Sequence, residues 1–136
     1  MDAATARRRL GDALVARLAT VGIKPHIVPI CFALDGDTIY LAVDRKPKRT
    51  TELQRLRNIA TNPSVAVLVD HYEDDWTRLW WVRVDGTARI LDAGDESVRA
   101  LTLLAARYPQ YQDQRPDGPV VAIRIDRLTG WSALNR

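Results

Sequence analysis

The segment from Asp44 to Asn58, DRKPKRTTELQRLRN, concentrates six cationic side chains. A phosphate or carboxylate leaves water only when charge-assisted donors replace its hydration. Arginine supplies a planar fork of donors for this purpose, and lysine supplies a point charge. The segment is therefore compatible with an anion-binding site and equally with a solvated basic surface, the usual role of a run of charges. The six side chains are those of Arg45, Lys46, Lys48, Arg49, Arg55 and Arg57.

The position of this basic segment favours an anion site. Thr50 is a suitable cap, and the apolar spacing of Leu53, Leu56 and Ile59 predicts a helix that ends at Asn62-Pro63. The preceding residues read as a strand, so the cations lie at a strand-to-helix junction, where backbone N–H groups and the helix dipole attract anions. With Leu53 and Leu56 facing the core, Arg55 is expected on a solvent or interface face.

Bulk properties narrow the class of protein. The chain has 136 residues, 46% of them hydrophobic, which predicts one globular domain over residues 1–136. The net charge of +3 is too small to indicate nucleic-acid binding by itself. One cysteine, Cys31, and two histidines 45 positions apart predict neither a disulfide nor a metal site. Without a signal-like segment or a long apolar run, we expect a cytoplasmic protein with no membrane or nucleic-acid partner.

The hydrophobic pattern predicts an α-βββ-α-ββ-α-β order with six antiparallel strands, which favours a barrel. The first helix is capped by Asp2 and has Leu10, Leu14, Val15 and Leu18 on one side. Strands follow at about 17–22, 26–34 and 38–43, with a hairpin turn at Asp35-Gly36-Asp37. We expect Cys31 to be buried within the second strand.

The second half of the chain continues this alternation of strands and helices. Strands are predicted from Ser64 to Tyr72 and across RLWWVRVDGTARILD, with a bulge or bend at Gly86. Alternation places Trp80 and Trp81 on opposite faces of their strand, so one of them should enter the core. The next helix is expected to be capped by Asp95, and the last strand follows Pro119. The predicted inner face of that helix consists of Val98, Leu101, Leu104, Ala105 and Tyr108.

The pieces LATVG…PHIVPICFALDGDTIYLAVDRKPKR, LQRLRNIATNPSVAVLVDHYEDDW, LWWVRVDGTARI and GWSA together resemble the pyridoxamine-phosphate-oxidase-like split β-barrel proteins. The resemblance runs from about Ala16 to Ala133, and it is closest to the actinobacterial group that uses coenzyme F420, an 8-hydroxy-5-deazaflavin. The turn VGIKPH is shorter than the ADGxPH type common in that family.

The resemblance implies a six-stranded split barrel with flanking helices and a homodimer with cofactor sites at the subunit interface. The implied cofactor is F420, or alternatively FMN, and the implied partner is a small-molecule substrate. The resemblance assigns phosphate binding to Lys48, Arg49 and Arg55. It assigns it less strongly to Lys46, Arg57 and Asn58. Contact with the cofactor ring is carried to His26, Val28 and Pro29, and aromatic cover to Trp76 and Trp80. No catalytic acid is assigned.

Several functions therefore stay open. The first is an F420-dependent oxidoreductase that transfers a hydride between the reduced cofactor and a small unsaturated or electron-poor substrate. The second is an FMN-dependent oxidase or reductase, and the third is a flavin- or deazaflavin-binding protein with little turnover. A basic nucleic-acid-binding barrel is disfavoured by the small net charge.

Overall fold

The structure is a computed structural model that describes residues 1–43 and 50–134. None of the helices it describes is long and apolar enough to cross a membrane. The helices are α1 (Ala3–Asp12), α2 (Thr50–Thr61), α3 (Asp95–Arg107) and α4 (Pro109–Asp113), with a 3-10 turn at Trp76–Arg78. The strands are β1 (Ala16–Val21), β2 (Pro25–Ile30), β3 (Ala33–Asp35), β4 (Thr38–Ala42), β5 (Ser64–His71), β6 (Trp80–Leu91) and β7 (Val120–Ser132).

The strands form one antiparallel sheet that is closed by a very short connection. In the described part of the chain the sheet has seven strands in the order β2-β1-β5-β6-β7-β4-β3, so β2 and β3 are its two edges. Only Cys31 and Phe32 separate these edges in sequence. That link spans at most about 11 Å between the Cα atoms of Ile30 and Ala33. The sheet must curl until its edges meet, which confirms the predicted split barrel.

Because the chain bends at this link, the predicted second strand at 26–34 divides into β2 and β3, which makes seven strands rather than six. Phe32 is fully buried in the core. Cys31 is exposed, so the expectation of a buried thiol was wrong. Neighbouring residues in extended chain point to opposite sides, and Phe32 occupies the inner side.

Helix α3 holds the link through two consecutive residues. The Phe32 N–H donates to the Tyr108 hydroxyl at 3.0 Å, and that hydroxyl lies 2.9 Å from the Phe32 carbonyl and 2.8 Å from the Leu14 carbonyl, to either of which it can donate. Arg107 donates to the same Phe32 carbonyl at 3.1 Å and also to the Ala13 carbonyl. The backbone groups that leave the ladder at the bend are thereby satisfied by side chains.

The core lies inside the barrel, where alternate residues of β1, β5 and β6 are buried, Leu18, Val67 and Val84 among them. Strand β7 is buried on both faces from Val120 to Ile123, because α3 covers its outer side. The predicted bulge at Gly86 is confirmed by a register shift between Asp85 and Gly86.

Helix boundaries depart from the sequence pattern at two places. Asp2 caps α1 as predicted, accepting from the Thr5 N–H at 2.7 Å, but α1 ends at Asp12. Leu14 and Val15 are consequently exposed outside the helix, and Leu18 belongs to β1.

Helix α3 starts one residue earlier than predicted. Its N-cap is Gly94, whose φ of 108° favours glycine, so Asp95 lies inside the first turn. Leu104, Ala105 and Tyr108 of the predicted inner face are buried, but Val98 is 60% exposed. Ser97 and Ala100, which were not predicted, also face inward.

Glu96 at the start of α3 joins the helix to the sheet. Its carboxylate accepts two hydrogen bonds from Arg89, each of 2.7 Å, and one of 2.7 Å from the Tyr40 hydroxyl. These donors, Arg89 first and Tyr40 second, lower the pKa of Glu96 to about 2.

We expect replacement of Tyr108 by phenylalanine to lower the free energy of unfolding by about 1–3 kcal/mol, because the buried Phe32 N–H loses its acceptor. Urea unfolding followed by circular dichroism measures the loss. Tyr72→Phe, which removes an exposed hydroxyl, is the control and should change stability by less than about 0.5 kcal/mol. Equal effects of the two substitutions would contradict a structural role for the Tyr108 hydroxyl.

The Glu96 cluster predicts a pH dependence of stability. Since the folded-state pKa lies near 2 and the ordinary pKa of a glutamate is 4.5, the stabilisation is complete above the unfolded-state pKa and is lost as pH falls from about 4.5 towards 2. Urea midpoints across this pH range should fall more steeply for the native chain than for Glu96→Gln. Parallel pH profiles would show that Glu96 contributes no such linkage.

Candidate functional site

A cleft opens between the β1–β2 hairpin and helix α2, and is called here the hairpin–helix cleft. Its volume is about 630 Å³. Two of its side chains, Lys24 and Arg57, are cationic, and the described residues that line it include no aspartate or glutamate. The lining residues are Gly22, Ile23, Lys24, Pro25 and His26 from the hairpin, and Gln54, Arg57, Asn58 and Thr61 from α2.

Asn58 forms the floor of the hairpin–helix cleft and ties its two walls together. The residue is only 3% exposed, and its Nδ2 donates to the Thr20 hydroxyl on β1 at 3.0 Å. A Cβ atom at Gly22 would lie 2.3 Å from Asn58 Oδ1, so this close approach of hairpin to helix requires glycine.

Two more hydrogen bonds extend from Asn58 to the rim of the cleft. Gln54 Nε2 donates to Asn58 Oδ1 at 2.8 Å, and Arg57 Nη2 donates to Gln54 Oε1 at 3.1 Å. Thr20, Asn58, Gln54 and Arg57 thus form one chain of hydrogen bonds, called here the amide relay. The relay runs from a buried strand hydroxyl to an exposed guanidinium.

His26 lies on the hairpin wall of the cleft. Its Nδ1 is buried and has no hydrogen-bond partner among the residues that the structure describes. Val28 shares its side of β2 and packs partly buried against the core. Pro29 points to the opposite side and is exposed, so the structure separates it from His26. Strand β2 is a sheet edge, a position that tolerates Pro29 because proline has no N–H for a ladder.

The cations of the basic segment are distributed differently from the sequence expectation. Arg55 is buried, with 8% of its surface exposed, rather than lying on a solvent or interface face. Arg55, Asn58 and Ile59 form the inner side of α2 by their spacing of three and four residues, and Arg57 is the exposed member. The predictions for Lys46, Lys48 and Arg49 lie outside the described residues.

The tryptophans lie at the other end of the barrel from the hairpin–helix cleft. Thr20 pairs with Val65 near the start of β5, whereas His71 at its end pairs with Trp80. The six residue steps from Val65 to His71 separate these ends by roughly 20 Å. Trp80 packs on the core with the Arg9 guanidinium 4.7 Å from its ring centroid. Trp76 is 75% exposed in the 3-10 turn.

Trp81 points away from Trp80, as alternation predicted, onto the outer face of the sheet. Together with Ala19, Ile27 and Leu68 it lines a second, smaller cleft of about 510 Å³. This outer face of β2, β1, β5 and β6 is called here the open sheet face. Arg17, Arg83 and Asp70 add both signs of charge to it, and Ile27 is 66% exposed.

Sequence reasoning assigned only His26, Arg57 and Asn58 of the nine lining residues to the site, and the residues it missed include Gly22, Lys24 and Gln54. Gln54 carried a usable signal, because it precedes Asn58 by four positions and so shares its side of the helix. Lys24 and Gly22 carried none, since the approach of the hairpin to α2 is a tertiary contact.

Three comparisons relate the chain to known proteins. Residues 3–132 match the pyridoxamine 5'-phosphate oxidase family. No curated protein matches the chain with significant sequence similarity.

Solved structures share the fold at low sequence identity. A conserved hypothetical protein from Mycobacterium tuberculosis is 22% identical with a TM-score of 0.79, over 98% of this chain and 86% of that one. An FAD-binding protein from Mesorhizobium loti is 20% identical with a TM-score of 0.75, over 96% and 94%. The haem storage protein HutZ from Vibrio cholerae is 13% identical with a TM-score of 0.73, over 96% and 93%.

The structural similarities, all below 25% identity, establish the split-barrel fold and leave the ligand open, since proteins of this shape include an FAD-binding and a haem storage protein. The family match extends over nearly all of the chain. The chain is a member of the pyridoxamine 5'-phosphate oxidase family.

Proposed function

We propose that the protein binds a flavin-type cofactor, F420 in the first place and FMN as the alternative, and transfers a hydride between it and a small electron-poor substrate. Family membership supports a flavin-type ligand, as does the fold shared with an FAD-binding protein. The preference for F420 rests on the sequence resemblance to the actinobacterial group. The observation that carries the proposal is the hairpin–helix cleft, a cationic cleft large enough for part of such a cofactor.

The residues of the cleft suit a flavin-type ligand in charge and shape. Arg57 and Lys24 line it without a neighbouring carboxylate among the described residues, which favours an anionic arm. His26 lines the cleft, and its buried Nδ1 has no hydrogen-bond partner in the described chain. Phosphate binding by Lys46, Lys48, Arg49 and Arg55 stays part of the proposal.

The cofactor, when bound, supplies the carbon that gives or accepts the hydride. The chain itself binds and orients the cofactor and excludes water from it. Lys24 and Arg57 hold an anionic group at the cleft, and Val28 contributes apolar surface beside His26. No side chain of the described residues is assigned as a proton donor, so solvent protonates the product.

A homodimer belongs to the same proposal. The open sheet face exposes apolar side chains over several strands, and it carries Arg17 and Arg83 alongside Asp70, a mixture of charges that can pair with itself about a two-fold axis. Trp76 and Trp80 are too far from the hairpin–helix cleft to cover it within one chain. A role for them as cofactor cover therefore depends on a second copy of the chain.

Titration of the purified protein with F420 and separately with FMN, followed by tryptophan fluorescence, tests the proposal. We expect saturable binding of F420, tighter than that of FMN, and reoxidation of bound reduced F420 by enones or quinones. Arg57→Gln should weaken binding about tenfold or more, because a hydrogen bond between an arginine and an anion contributes about 1.5–3 kcal/mol. Arg8→Gln, which removes an exposed arginine of α1, is the matched control.

The other outcomes select among the rivals. Tight FMN binding without a response to F420 would establish the FMN-dependent enzyme, and binding without turnover over a broad substrate panel would establish a cofactor-binding protein. Saturable binding of haem in place of both, seen as a Soret band, would overturn the proposal in favour of a haem protein. Equal affinities of Arg57→Gln and Arg8→Gln would exclude Arg57 from the site.

A further inference from the structure

We propose that the hairpin–helix cleft is an oxyanion site in which Lys24 and Arg57 bind a carboxylate or phosphate group, and that Gln54 is the residue that positions Arg57. This inference deepens the proposed function, because it concerns the same cleft and supposes that cleft to be functional. It requires neither a flavin nor turnover.

The charge of the cleft supports an anionic occupant. Lys24 stands on the hairpin wall and Arg57 on the helix wall, so the two positive charges face a shared space of about 630 Å³. Neither Lys24 nor Arg57 takes part in the salt bridges formed among the described residues. The described lining of the cleft contains no carboxylate that would neutralise them. An oxyanion placed between them gains charge-assisted hydrogen bonds from both walls.

The hydrogen bond from Arg57 to Gln54 restricts where the guanidinium can go. An exposed arginine otherwise samples many rotamers, and fixing it on a ligand costs about 2 kcal/mol of side-chain entropy. Here one Nη2 donor is already committed to Gln54 Oε1 at 3.1 Å. A guanidinium has five N–H donors, so four stay available to an anion.

The direction of the amide relay makes Gln54 specific for this role. Gln54 donates with its Nε2 to Asn58 and accepts with its Oε1 from Arg57. Asn58 is itself immobilised by burial, by its bond to Thr20 and by its contact with Gly22. Only a side chain with a donor and an acceptor at its tip satisfies both neighbours. Glutamate lacks the donor for Asn58 and adds a charge that repels an anion, and alanine makes neither bond.

Binding of an anion in the cleft is tested by NMR, with inorganic pyrophosphate and glutarate as probes. The chain has only two histidines, so the ring C–H signals of His26 report on the cleft and those of His71, at the far end of β5, serve as an internal reference. Assignment follows from His71→Gln. We expect either probe to shift the His26 signals saturably and to leave those of His71 unchanged. The probe with the higher affinity identifies phosphate or carboxylate as the favoured chemistry.

A double-mutant cycle tests the role of Gln54. We expect Gln54→Ala to lower the affinity for the favoured probe by roughly threefold or more in the native background. It should have no effect in an Arg57→Gln background, because Gln54 acts through Arg57. Gln54→Glu should lower the affinity further than Gln54→Ala. Gln110→Ala, at an exposed glutamine of α4, is the matched control and should bind as the native chain does.

Each remaining outcome overturns part of the inference. If neither probe shifts His26, the cleft is not an oxyanion site, whether or not F420 or FMN binds elsewhere. If Gln54→Ala weakens binding equally with and without Arg57, Gln54 contacts the anion itself and is no positioning residue. Conversely, probe binding with the expected cycle but no affinity for F420 or FMN would retain the anion site and refute the proposed cofactor.

Discussion

The two-residue link between β2 and β3 is the constraint on which the rest of the fold depends. A sheet with β2 and β3 at opposite edges can be drawn flat, but a connection made of Cys31 and Phe32 does not reach across it. Curling brings the edges together and encloses the core around Phe32. The cost of leaving the hydrogen-bond ladder at the bend is offset by Tyr108 and Arg107, so a distant helix completes the closure.

This closure also determines where the hairpin–helix cleft lies. Helix α2 has to carry the chain from β4, on one side of the barrel, to β5, next to β1 on the other. It does so by packing against β1 and β6, which brings its inner side to the β1–β2 hairpin. The cleft is the space left between that hairpin and the exposed side of the helix. Its position follows from strand order and requires no special loop.

The parts of the fold that could be predicted from the sequence are those with a local cause. Asp2 caps α1, Gly36 takes a φ of 59° in the hairpin turn and Gly86 marks the bulge, each for reasons contained in a few neighbouring residues. The division of the second strand had no such signal, because IVPICFAL is apolar throughout and the bend at Cys31 is imposed by closure. The exposure of Val98 likewise reflects how α3 docks on β4 and β7.

The residues of the candidate site likewise divide into those that could be predicted from the local sequence and those that depend on tertiary contacts. Arg57, Asn58 and His26 were found from residue type and resemblance, and they do line one cleft. Arg55 was misplaced because the apolar stripe of Leu53, Leu56 and Ile59 suggested an inner face without polar members, whereas the inner side also contains Arg55 and Asn58. Gly22 and Lys24 entered only with the tertiary approach of hairpin to helix, whereas Gln54 could have been found from its spacing of four residues to Asn58.

Burying the polar side chain of Asn58 at the floor of the cleft costs desolvation free energy, and this cost indicates the purpose of the residue. A leucine in place of Asn58 would bury without any need for hydrogen-bond partners, whereas an amide stays buried only when its donor and acceptor are both satisfied. Asn58 meets this condition on opposite sides, with Thr20 on the strand and Gln54 on the helix. A shift of α2 along β1 by one residue would break the bond to Thr20 and leave the buried amide donor of Asn58 without an acceptor, so the amide specifies the register of helix against strand more strictly than an apolar contact does. That register decides how far Arg57 stands from Lys24, which is the dimension an oxyanion must match.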